Sequence, residues 1–87
     1  MSDMAIIVAV SVFTAGIGAA IGGYGPARGE GEALAQALDS IARQPDEADR
    51  ITRTLFVGMA MVESTAIYAL VIALIILFAN PLLGLVK

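Results

Sequence analysis

Two long apolar stretches with a polar stretch between them make up nearly all of this chain. Met4 to Tyr24 carries no charge, and Leu55 to Phe78 carries one, Glu63, while charged residues crowd the interval from Arg28 to Arg53. Period-two alternation and low-complexity linkers are absent, so the apolar runs read as helices. The second run, about 24 residues at ~1.5 Å each, reaches ~36 Å and can cross a ~30 Å hydrocarbon core with some tilt. The pattern predicts one all-α domain over 1–87, a two-helix transmembrane hairpin. Its first helix runs from about Met4 to Ala42, a polar loop covers 43–46, the second helix runs from about Glu47 to Asn80, and a short tail fills 81–87. Gln44-Pro45-Asp46 supplies the turn, because Pro45 biases Gln44 off helical geometry and suits a helix's first turn. Asn80-Pro81 ends the second helix.

Composition sharpens this. With 87 residues, 59% of them hydrophobic, and a mean hydropathy of +0.87, a soluble fold of this size could not hide so much apolar surface. The excess has to meet lipid, which excludes a soluble enzyme. No cysteine and no histidine is present, so disulfides, imidazole metal sites and Ser-His or Cys-His catalysis are excluded. A net charge of -3 offers no footprint for nucleic acid.

Met1-Ser2-Asp3 bears an acid where a secretory signal would be basic, and the uncharged run behind it is long for a signal core. It reads as a retained span. Arg43, Arg50 and Arg53 cluster at the connection, against Lys87 and the α-amino group at the ends. The positive-inside rule then puts the loop in the cytoplasm and both termini outside.

The first helix is rich in glycine. On a wheel of ~100° per residue, Gly16, Gly23, Ala27 and Gly31 share one side, and Gly18, Gly22, Gly25 and Gly29 the nearly opposite one. Each glycine costs ~1 kcal/mol of helix propensity against alanine, which close packing offsets. One small-residue stripe would mean one close helix, as in a dimer. Two opposed stripes imply close neighbours on both flanks, as in a closed ring of identical hairpins. Of the remaining sides, Glu30, Ala19 and Val12 are expected against the outer helix, and Ile17, Ile21, Tyr24 and Arg28 towards the ring lumen. Arg28 is expected to pair with Glu32 at i+4.

The candidate chemistry centres on Glu63. A charge at the middle of a span costs at least ~2.5–3.5 kcal/mol, so such a residue faces protein or water and has a function. Near it stand the hydroxyls of Ser64 and Thr65 and the phenol of Tyr68, hard oxygens that suit a proton or a small hard cation. Singly, Ser64 or Thr65 reads better as helix-packing glue, and Tyr68 is a common interface anchor; Glu63 does not fit that reading. Glu30 lies ~22 Å before Pro45 and Glu63 ~27 Å after it, level to about one turn, so two carboxylates can meet inside the membrane. The competing reading of Glu30 is a polar residue near the headgroups. On the second helix Ser64 and Tyr68 lie ~100° and ~140° round from Glu63, so the group converges only between adjacent copies.

The chain resembles the c subunits of the rotary ATP synthases, the proteolipids of the membrane rotor ring. The resemblance covers nearly the whole chain. It rests on the run Gly23-Tyr24-Gly25-Pro26-Ala27-Arg28-Gly29-Glu30-Gly31, the loop Ala42-Arg43-Gln44-Pro45, the group Glu63-Ser64-Thr65 with Tyr68, and the closing Ala79-Asn80-Pro81. It implies that Glu63 carries H⁺ or Na⁺ with no organic cofactor, that Gly23, Gly25, Ala27, Gly29 and Gly31 pack the ring, and that Arg43-Gln44-Pro45 touches the central stalk. Implied partners are identical subunits, the stator with an arginine that tolerates the empty carboxylate, the gamma and epsilon subunits of the stalk, and membrane lipid. Resemblance to sodium-binding members adds the Met61 carbonyl to Glu63, Glu30 and Ser64 as Na⁺ ligands, with Thr65 holding a water. The implied location is a bacterial inner membrane.

Two departures stand out. Ala27 replaces the middle glycine. Glu30 stands where sodium-binding members commonly have Gln and many proton-binding ones an apolar residue, which resembles the two-carboxylate variants, including the N-type ATPases. Outside the family, a holin-like pore or structural hairpin would explain the spans but not Glu63 with its oxygens. A small antiporter would need more helices and aromatic cage residues.

Overall fold

The computed structural model describes residues 2–85; Lys87, used in the orientation argument, lies outside the described residues. Two antiparallel helices form a hairpin with extents of 65 × 17 × 10 Å. Helix α1 covers Asp3–Arg43 and helix α2 Ala48–Phe78. Both are long and apolar enough to cross a membrane.

The helix ends follow local chemistry. Ser2 caps α1, its hydroxyl accepting the Ala5 N–H at 3.1 Å, with Asp3 in the first turn on the favourable side of the helix dipole. At the other end Arg43 lies in the last turn, and the Gln44 N–H donates to Ser40 O at 2.8 Å. Gln44 then turns out of the helix at φ -134°, as a residue before proline should. A single 3-10 turn, Pro45–Glu47, reverses the chain, so α2 begins at Ala48. It ends at Phe78, two residues short of the expected Asn80. Ala79 donates the last helical bond, to Ile75 O at 2.9 Å, and Pro81 biases Asn80 off helical geometry. A second short 3-10 segment, Pro81–Leu85, follows.

What joins the two helices is small. Among the described residues the buried apolar ones are Ala15, Ala37 and Ala73. A Cβ on Gly22 would fall on the Ala69 Cβ, and one on Gly29 would touch Val62 Cγ1 at 4.0 Å. The seam on α1 is therefore Ala15, Gly22 and Gly29, one heptad apart, answered on α2 by Val62, Ala69 and Ile76, also one heptad apart.

This corrects the wheel. Gly22 and Gly29 do not form a stripe reserved for a neighbouring copy; they meet α2 of their own hairpin, and Gly18 lines the same interhelical cleft. Val12, expected against α2, is 55% exposed. The reason is side-chain size: the backbones approach where no Cβ or only a methyl intervenes. The ~20° per heptad by which a 3.6 wheel drifts from the 3.5 repeat of helices in contact adds only a smaller part. Gly16, Gly23, Gly25 and Gly31 have no atom within 4 Å of a Cβ position and remain open to other copies. Large apolar side chains from Ile6 to Phe78 are exposed on the hairpin, a surface suited to lipid and to other helices.

Candidate functional site

Val62 faces Gly29 across the seam, and this settles where its neighbours point. At ~100° per residue, Glu63 stands ~100° to one side of Val62 and Met61 ~100° to the other. Glu30 follows Gly29 in the same way. The two carboxylates thus emerge on one flank, and their carboxyl groups lie within hydrogen-bonding reach of each other. Glu30 is half-buried, and its Oε1 is shut off from solvent with no hydrogen-bond partner among the described residues. Glu63 is exposed on the hairpin. An open, mostly apolar groove of about 500 Å³ runs from Glu30 past Ala37 and Gly58 to Arg50 near the loop.

Tyr68 precedes Ala69, which faces Gly22, so it turns to the Met61 flank, opposite the carboxylates; Thr65 leans the same way. Tyr68 and Met61 are 69% and 71% exposed. Ser64 lies on the back of α2, ~200° from Val62, and its hydroxyl donates to Ala60 O at 3.1 Å. Its proton is engaged, which leaves the oxygen lone pairs for any further ligand. One hairpin therefore brings together Glu30 and Glu63 and keeps Met61, Thr65 and Tyr68 on the other flank. Two hairpins side by side would set the two halves face to face.

Chemically, the carboxyl pair can hold a proton or a cation. Two carboxylates in contact cannot both stay ionised in an apolar setting without a positive partner. Among the described residues no group of three or more His, Cys, Asp and Glu side chains gathers, so a hard cation would draw on backbone, hydroxyl and phenol oxygens beside the pair.

The arginines outside the pair are engaged locally, Arg53 with the Asp49 carbonyl at 3.3 Å. Arg28 donates to Tyr24 Oη at 3.4 Å and pairs with Glu32 at 3.5 Å; it precedes Gly29 and so lies ~100° from the seam, on the flank of α1 opposite Glu30. Near the loop, Arg43 pairs with Asp39 at 3.2 Å and Arg50 with Glu47 at 3.5 Å. Gln44 and Pro45 are exposed at the tip. One contact has no counterpart among the expectations from sequence: the Asn80 side-chain amide donates to Ser11 Oγ at 2.7 Å. Ser11 and Asn80 share the residue-number sum of the pairs Gly22–Ala69 and Gly29–Val62, so the contact follows from the helix register, which the sequence alone did not supply.

The family model for the ATP synthase C subunit matches residues 4–76, a stretch that includes both carboxylates and the loop. The chain is 57% identical to ATP synthase c subunit 2 of Cereibacter sphaeroides, over 85% of this chain and 89% of that one. It is 56% identical to ATP synthase c subunit 1 of Pelobacter propionicus, over 80% and 77%. It is 46% identical to the ATP synthase c subunit of Dictyoglomus thermophilum, over 93% and 96%. An apolar hairpin matched along nearly its whole length, with its acid pair inside the match, belongs to the family of ATP synthase c subunits.

Proposed function

We propose that Glu63 and Glu30 form one ion-carrying unit in this rotor protein, completed by Met61, Ser64, Thr65 and Tyr68 of the adjacent copy. As a member of its family the chain is a non-catalytic, ion-translocating component of the rotor ring, and the pore-forming alternative falls away. The observation that carries the proposal is the contact between the Glu30 and Glu63 carboxyl groups on a flank that the hairpin itself leaves uncovered.

The physics is charge cancellation. A bare carboxylate moves through lipid only at a high free-energy cost, and a proton or a cation removes the net charge. Two loaded states are neutral: both carboxyls protonated, or one proton and one Na⁺ shared by the pair. The hydroxyl, phenol and carbonyl oxygens on the facing flank favour Na⁺ as the cargo, with protons competing. Unloading requires a positive partner for the emptied carboxylate, the role of an arginine on the stator.

The exposed Arg43-Gln44-Pro45 tip is the contact for the gamma and epsilon subunits of the stalk. The arginines around the loop favour a cytoplasmic loop with both termini outside, and the bacterial relatives favour a bacterial inner membrane.

Carbodiimide labelling of the purified oligomer tests the cargo, because only a protonated carboxyl reacts. The expected result is modification of Glu63 that Na⁺ slows in a dose-dependent way. Labelling that no Na⁺ concentration slows, across the accessible pH range, would remove Na⁺ and leave the proton.

A further inference from the structure

The hairpin is closed covalently at the loop, but its other end is held by one polar contact. The Asn80 amide donates to Ser11 Oγ at 2.7 Å, and its Oδ1 accepts the Leu82 N–H at 2.9 Å. Since an N–H can only donate, the second bond fixes which end of the amide points at Ser11. The Asn80 backbone carbonyl also accepts the Leu83 N–H at 3.3 Å, so this residue is tied on three sides. Apart from the carboxyl pair, whose depth the register must set, every other side-chain hydrogen bond among the described residues closes within four residues of chain.

The seam between this clasp and the loop is weakly specific. It consists of glycines, alanines and a few aliphatic side chains, and lipid supplies no hydrophobic drive to prefer one fit over another. A slip of one turn, ~5.4 Å, would exchange glycine and alanine for residues of similar size, such as Gly18, Ala33, Ala66 and Ala73. It would also part Glu30 from Glu63. The loop limits such a slip at one end only, and the carboxyl pair lies well along the helices from it.

We infer that Asn80 is a positioning residue for the carboxyl pair: its bond to Ser11 locks the depth register of α1 against α2 and so keeps Glu30 level with Glu63. Its link to transport rests on the carboxyl pair being the ion carrier; the register lock stands independently of that.

The test uses the absence of cysteine in the chain. Gly29→Cys with Val62→Cys reports the native register, and Gly29→Cys with Ala66→Cys or Gly58→Cys reports a slip of one turn either way. Disulfide formation within one chain is read as a mobility shift in membranes, whether or not rings assemble. Each pair is placed in the parent, in Asn80→Ala, in Ser11→Ala and in the exchange of Ser11→Asn with Asn80→Ser. The pH profile of Glu63 carbodiimide labelling is read beside it in the same backgrounds without the cysteines.

The parent should cross-link in register alone. Asn80→Ala and Ser11→Ala should raise the displaced products about three- to twentyfold relative to the in-register one, the range for one lost interhelical hydrogen bond in a membrane. Both should displace the labelling profile, and the exchange should restore register and profile together. Ser11→Ala leaves the helix-end bonds of Asn80 intact, so unchanged register there would reduce Asn80 to a helix terminator and overturn the proposal. Displaced cross-links with an unmoved profile would overturn the positioning role. If the parent's Glu63 is never labelled, the carrier reading fails, while the cross-links still report the register.

Discussion

Gly22 of α1 and Ala69 of α2 lie at the point where the two backbones pass closest: a methyl group on Gly22 would occupy the place of the Ala69 methyl. Neither atom belongs to a flexible side chain, so only a movement of the helices can make room. Gly22→Ala is therefore expected to destabilise the hairpin despite gaining ~1 kcal/mol of helix propensity, because overpacking costs about 1–3 kcal/mol. Thermal dissociation of the purified oligomer should occur at lower temperature, and Ala69→Gly in the same chain should recover part of the loss. An unchanged transition would place the closest approach elsewhere.

Gly23 gives the opposite expectation. Nothing of its own hairpin lies within 4 Å of a Cβ there, so Gly23→Ala should leave the helicity of the detergent-solubilised chain unchanged or slightly raised. Its effect should appear in assembly, as a lower yield of closed oligomer or a changed copy number, counted by imaging. If Gly23→Ala assembles like the parent, that flank does not meet a neighbour closely.

The carboxyl pair predicts unequal roles for its members. Glu63→Gln should abolish ion transport and leave the oligomer intact. Glu30→Gln should retain transport with an altered pH range or ion selectivity, because its carboxyl contacts that of Glu63, the proposed carrier, without being the more exposed member of the pair. Transport in reconstituted vesicles, measured across pH and Na⁺, separates the two. An unchanged profile for Glu30→Gln would return Glu30 to a polar residue in the helix interface.

Ser64 hydrogen-bonds to Ala60 O within its own helix, so a ligand can use only its lone pairs. Ser64→Ala should leave proton-dependent labelling of Glu63 in place while raising the Na⁺ concentration needed for half-protection. Equal protection in the variant would show the hydroxyl to be a local helix contact only.

Arg28 is the charged residue of α1 that precedes the pair most closely in sequence, yet it lies on the flank opposite Glu30 and is engaged locally. Its partner Glu32 is 3.5 Å away, with the two side chains 63% and 73% exposed. Such i,i+4 pairs contribute a few tenths of a kcal/mol. Arg28→Ala is expected to leave transport and carbodiimide labelling within error of the parent. A loss of transport with intact assembly would draw Arg28 into the ion path.

Much of the fold can be read from residue order, since it depends on local quantities. Apolar length sets the spans, proline at 45 and 81 sets the stops, and a lone acid in an apolar run marks a functional depth. Similar distances from Pro45 put Glu30 and Glu63 level, because a helix converts residue count into length at a constant rate. The face of α1 that meets α2 was judged only in part: Glu30 does meet α2, but Val12 turns outward and Gly22 and Gly29 turn in, because a wheel weighs angle and not which residues are small enough to let the backbones approach. The division of the site into two flanks and the clasp between Ser11 and Asn80 depend on how one helix is rotated and slid against the other. Residues far apart in the chain specify those two degrees of freedom jointly, through side-chain size and one hydrogen bond, and no single stretch of sequence contains them.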